Sequence, residues 1–88
     1  MMRVKQGFVM RDVAGQTVIV ATGEASKSFQ GMIRVNPTGK VIWQGLTDGL
    51  TDDQIVDNIL KEFAVERDVA AKDVATFIEQ ARDNGFLA

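Results

Sequence analysis

The sequence predicts an α+β fold of the winged helix-turn-helix kind, a three-stranded antiparallel sheet followed by three helices. Three observations carry this expectation. Apolar and β-branched residues gather in three short runs before Asn36. From Pro37 onward the apolar residues recur at helical spacing. Start and stop signals then bracket three successive segments of that second part.

The first two runs are 7–13, Gly7-Phe8-Val9-Met10-Arg11-Asp12-Val13, and 17–22, Thr17-Val18-Ile19-Val20-Ala21-Thr22. Ala14-Gly15-Gln16 punctuates them, so the pair reads as a hairpin. From Gly23 to Gly31 the residues turn polar and small, too few and too mixed in period for a stable helix, and the segment reads as a connector. Met32-Ile33-Arg34-Val35 supplies a third strand over 32–35. Side chains alternate along it, so Ile33 and Val35 share one face, Met32 and Arg34 the other, and one pair must meet the core.

Asn36 is a favoured N-cap and Pro37 suits the first helical position, where its missing amide costs nothing. A helix over 37–47 follows, with Val41, Ile42, Trp43 and Leu46 on its apolar face and Thr47-Asp48-Gly49 at its end. Trp43 reads as core, its indole N–H donating to a backbone partner. Thr51-Asp52-Asp53-Gln54 has the capping-box form, with two carboxylates at the positive end of the helix dipole. It opens a helix over 52–63, where Ile55, Val56, Ile59, Leu60 and Phe63 lay one stripe toward a core. The last helix, over 68–84, aligns Ala70, Val74, Phe77, Ile78 and Ala81. Gly85 stops it in the Schellman manner, with Phe86 packing back near Ala81.

The chain has 88 residues, 45% of them hydrophobic, which is room for a single domain over 1–88 of modest stability. It has no cysteine and no histidine, which excludes disulfides, thiolate nucleophiles, the usual zinc sites and the commonest general base. No Gly-x-Gly-x-x-Gly loop and no hard-cation ligand spacing occur, so neither a cofactor nor a metal is expected. No apolar run is long enough to span a membrane, and a cytoplasmic location is expected. Charge is uneven: residues 1–47 carry six basic and two acidic side chains, residues 48–88 four basic and ten acidic. Polyanions such as nucleic acid want the opposite balance on a reading helix, where Asp68, Asp73, Glu79 and Asp83 outnumber Lys72 and Arg82.

Two features bear on binding. A sheet of three short strands leaves strands unpaired at its rims, and an unpaired rim is a template for another chain. The run 32–35 is then either such a rim or an internal sheet partner. On the last helix, Asp73, Thr76 and Gln80 stand at i, i+3 and i+7, a polar flank beside Phe77. That flank is either solvated or the border of a cleft, with Phe77 as core or as cleft wall, and Asp73 could instead pair with Lys72 or a nearby amide.

Taken together, Val35-Asn36-Pro37-Thr38-Gly39-Lys40-Val41-Ile42-Trp43, then Thr51 to Phe63, Asp73-Val74-Ala75-Thr76-Phe77 and Gly85-Phe86-Leu87 resemble the PqqD family. These are the D protein of pyrroloquinoline quinone biosynthesis and its relatives, and the likeness covers about residues 7–87. The resemblance implies a non-catalytic recognition element that holds the leader of a ribosomally made precursor peptide. The leader would lie antiparallel on Met32, Ile33, Arg34 and Val35, in the cleft beside Asp73, Thr76, Phe77 and Gln80. It further implies a radical S-adenosylmethionine (radical SAM) enzyme as second partner, with no nucleic acid or membrane and a monomer or weak dimer. The same architecture also serves winged-helix DNA-binding proteins and general protein-interaction domains, which are the alternatives.

Overall fold

The hairpin is closed by a two-residue turn. In the computed structural model, which describes residues 4–23, 25–28 and 32–87, strand β1 (Phe8–Val13) pairs antiparallel with β2 (Gln16–Ala21). Val13 stands opposite Gln16, so the loop is Ala14-Gly15 alone, at φ 52° and 80°. Two successive positive φ angles match the right-handed twist of the flanking strands. Gln16 therefore belongs to β2, and the next cross-strand pair tightens the turn, Thr17 donating from Oγ1 to Asp12 Oδ1 at 2.7 Å.

Residues 23–31 depart from the expected plain connector. Ala25–Ser28 form a single helical turn, α1, with Ser26 donating from both its amide and its hydroxyl to the Gly23 carbonyl. Local side-chain bonding of this kind closes one turn without any apolar periodicity, which is why the pattern gave no warning of it. The rest of the connector, residues 24 and 29–31, lies outside the described residues.

Strand β3 (Met32–Val35) pairs antiparallel with β2, Thr17 opposite Val35 and Val20 opposite Met32, so the sheet order is β1-β2-β3. The register puts Phe8, Met10, Ile19, Ala21, Ile33 and Val35 on one face, toward the helices. Val9, Val20 and Met32 form a row across the other face, and Arg11, Val18 and Arg34 form the next.

Three longer helices follow, α2 (Pro37–Thr47), α3 (Asp52–Glu62) and α4 (Arg67–Asp83); α2 and α4 pack on the inner face of the sheet, and α3 packs on α2 and α4. Asn36 caps α2, its Oδ1 accepting from the Gly39 amide at 2.7 Å. Thr51 and Gln54 form the full capping box of α3, the Gln54 amide donating to Thr51 Oγ1 and the Thr51 amide to Gln54 Oε1. Both α2 and α4 end in a Schellman motif. The Leu50 and Phe86 amides donate back to the Gly45 and Ala81 carbonyls, with Gly49 and Gly85 at φ 75° and 78°.

The core has two lobes. Ile42, Leu46, Ile55, Val56, Ile59, Ala70, Val74 and Ile78 pack among the three helices. Phe8, Ile19, Trp43, Ala81 and Phe86 fill the space between sheet and helices, with Trp43 edge-on to Phe86 at 6.0 Å. Trp43 is only 3% exposed, as its core reading requires, but the expected backbone acceptor for its indole N–H is not found among the described residues. Two distant segments meet beside this lobe: Val4 bridges Leu87, and the Lys5 amide donates to the Phe86 carbonyl at 2.8 Å.

Candidate functional site

β3 is a rim strand. No strand lies beyond it among the described residues, so the backbone N–H and C=O groups that alternate away from β2 have no ladder partner. β1 forms the opposite rim, yet the two rims differ in what borders them. Beside β3 runs α4, and the space between them is a furrow with two adjoining hollows.

The first hollow, about 180 Å³, is walled by Ile33 and Val35 of β3, Phe77, Gln80 and Ala81 of α4, and Phe86. Arg34 and Asn84 reach its border. The second, about 230 Å³, continues along α4 past Thr76 and Asp73, with Asn36, Thr38 and Lys72 on its margins. Phe77 and Gln80 line both, so the furrow is apolar at its sheet end and polar at its helix-start end.

Local folding accounts for this placement. The Asn36 cap turns the chain from β3 into α2 within one residue. Gly39 lets the first turn of α2 approach closely: a Cβ there would stand 3.2 Å from the Phe77 ring and 3.3 Å from Val35 Cβ. Phe77 is held half-buried between the two core lobes, which makes it at once core and furrow wall. Ile33 and Val35 are the pair that faces inward, which settles the alternation of β3.

Of the residues singled out in the sequence, seven thus share one furrow: Ile33, Arg34, Val35, Asp73, Thr76, Phe77 and Gln80. Met32 contributes its backbone to the rim, while its side chain stands on the outer face, 59% exposed. Asp73 is paired with neither Lys72 nor an amide among the described residues. Asn36 and Phe86, legible in the sequence as a cap and a packing residue, also border the furrow, as does Asn84, and none of the three was expected there. Asn84 continues the Asp73, Thr76, Gln80 flank by one further turn, a signal masked by its place at the helix stop.

A larger hollow, about 510 Å³, lies elsewhere, between α2 and α3 and bordered by Lys40, Asp48, Lys61 and Phe63. It is lined by residues of α2 and α3 and by their C-caps Asp48 and Phe63, so it borders no strand edge. The β3 furrow, by contrast, sets a free main-chain edge along an apolar trough.

The family model for coenzyme PQQ synthesis protein D (PqqD) matches residues 11–87. The chain belongs to the PqqD family. Two solved structures share the PqqD-like fold. One is a lasso peptide synthetase B1 complexed with the leader peptide, 21% identical, covering 99% of this chain and 96% of that one with a TM-score of 0.77. The other is TbiB1 in complex with the TbiA(beta) leader peptide, 20% identical, covering 97% of this chain and 93% of that one with a TM-score of 0.75. At these identities the likeness is one of fold. Among curated proteins none matches the chain significantly. Among the described residues, no helix of this PqqD-family chain is long and apolar enough to cross a membrane.

Proposed function

We propose that this PqqD-family chain is a recognition element that binds the leader of a ribosomally synthesised precursor peptide and presents it to a modifying enzyme. The observation that carries the reading is the free rim of β3 set against α4. An incoming segment adds there as a fourth strand, antiparallel to β3, gaining main-chain hydrogen bonds that depend little on its sequence. Alternate side chains of that segment point toward α4 and enter the hollows walled by Ile33, Val35 and Phe77, which supplies selectivity. Asp73, Thr76 and Gln80 border the trough and offer polar partners to the same segment. Family membership and the leader peptides bound by two proteins of this fold support the same reading.

The chain's own part is to bind and orient. A radical SAM enzyme, the partner implied by the resemblance, would carry out the modification, and the chain itself would catalyse nothing, in the cytoplasm. The test is a titration of the isotope-labelled protein with the leader of the precursor encoded beside its gene, followed by amide NMR. Saturable shifts at Met32 to Val35 and at Thr76 to Gln80 are expected. Amides of β3 that stay unmoved while the leader binds elsewhere, or turnover by the chain alone, would overturn the proposal.

A further inference from the structure

Arg34 occupies the only charged position of β3, on the outer face, and is exposed. Its side chain makes no hydrogen bond or ion pair among the described residues. Its cross-strand neighbour within the sheet is Val18, and beyond that stands Arg11, so the row through Arg34 holds two cations and no anion. On the free side of Arg34 no described strand continues that row, and a strand added to β3 must fill the next position with one of its own side chains.

Directly opposed residues of neighbouring strands share a face, with their Cβ atoms about 4.5–5.5 Å apart. The residue that lands opposite Arg34 therefore lies on the outer face within reach of the guanidinium. Its two chain neighbours point the other way, into the apolar trough beside Ile33 and Val35. Resting on the strand-addition reading above, we infer that the groove selects peptides in which a carboxylate side chain, flanked on both sides by apolar residues, stands opposite Arg34. The carboxylate closes the row that Arg11 and Arg34 leave cationic. Planar guanidinium and planar carboxylate meet as a fork, which favours Asp or Glu over a neutral acceptor.

An unpaired cation on a rim strand has a second known use, discouraging edge-to-edge pairing between copies. That role leaves peptide charge preference untouched and shows instead as self-association when the charge is removed.

The experiment is a selection of short randomised peptides displayed against the folded wild-type chain, against Arg34→Gln and against Arg34→Glu. Binders are then resynthesised and checked for amide shifts at Met32 to Val35. On the wild type, acidic residues are expected to be enriched over basic ones by about three- to tenfold at one position between two apolar ones. Arg34→Gln should flatten that preference, and Arg34→Glu should turn it toward Lys and Arg. Peptides that shift the β3 amides yet show the same charge preference on all three proteins would overturn this inference and leave the strand-addition reading standing. If no selected peptide shifts those amides, both fall together.

Discussion

Ala14 holds a left-handed conformation, φ 52°, that an L-residue with a Cβ adopts at a cost of about 1–2 kcal/mol. Its neighbour Gly15 meets the same demand freely, so the turn is half optimised for the geometry it adopts. Replacing Ala14 with Asn, which visits that region more readily, should stabilise the protein by about 1 kcal/mol, read as a rise in the urea midpoint at unchanged slope. Phe77 shows what a single residue reveals and withholds. Its place in the apolar stripe of 68–84 was legible as periodicity, but whether it closed the core or walled a cleft depends on Gly39, which the chain brings beside it from another helix. Arg34 was legible as one member of an alternating strand, and its lack of a partner emerges only from the register with Val18 and Arg11.

Helix starts and stops were the most readable features, because each is a local bargain between a few neighbours. Asn36, the Thr51 and Gln54 pair, Gly49 and Gly85 each satisfy backbone groups within about one turn of themselves. The turn Ala25–Ser28 escaped because a lone turn buries no stripe and so leaves no period. Packing between elements was not legible at all, and Gly45 is the clearest case. In the interior of α2 a glycine looks like a defect that alanine would mend by about 1 kcal/mol. Here a Cβ would stand 2.6 Å from Cγ1 of Ile55, a fully buried side chain of α3. The overlap costs about 1–3 kcal/mol, since Ile55 has no space to retreat into. Gly45→Ala should therefore lower stability by about 1 kcal/mol, against the helix-propensity trend, in a thermal or urea melt.

For the molecule as a whole, strand count and order along the chain were readable, whereas the identity of the free rim bordered by a furrow required the sheet order β1-β2-β3 and the position of α4. Charge separates along the same division, a basic sheet half and an acidic helical half, which suits a peptide lying between them better than a uniform polyanion. A domain this small has little stability in reserve, so occupancy of the groove should register in its melting. At a leader concentration about a hundredfold above its Kd, linkage adds about 2.7 kcal/mol, enough to raise Tm by roughly 10 °C or more for a domain of this size. A calorimetric scan with and without the leader checks this, and a Tm indifferent to saturating leader would contradict the proposed binding to the folded state.

The bridge between Val4 and Leu87 has a consequence for how the polypeptide could be rewired. Because Val4 and Leu87 stand side by side, a short Gly-Ser joint could link these two residues into a ring without stretching any element. The ring could then be reopened in the exposed stretch Ala64 to Glu66, between α3 and α4. Such a circular permutant should still fold and bind, with the β3 furrow unchanged and new attachment points at a distant corner.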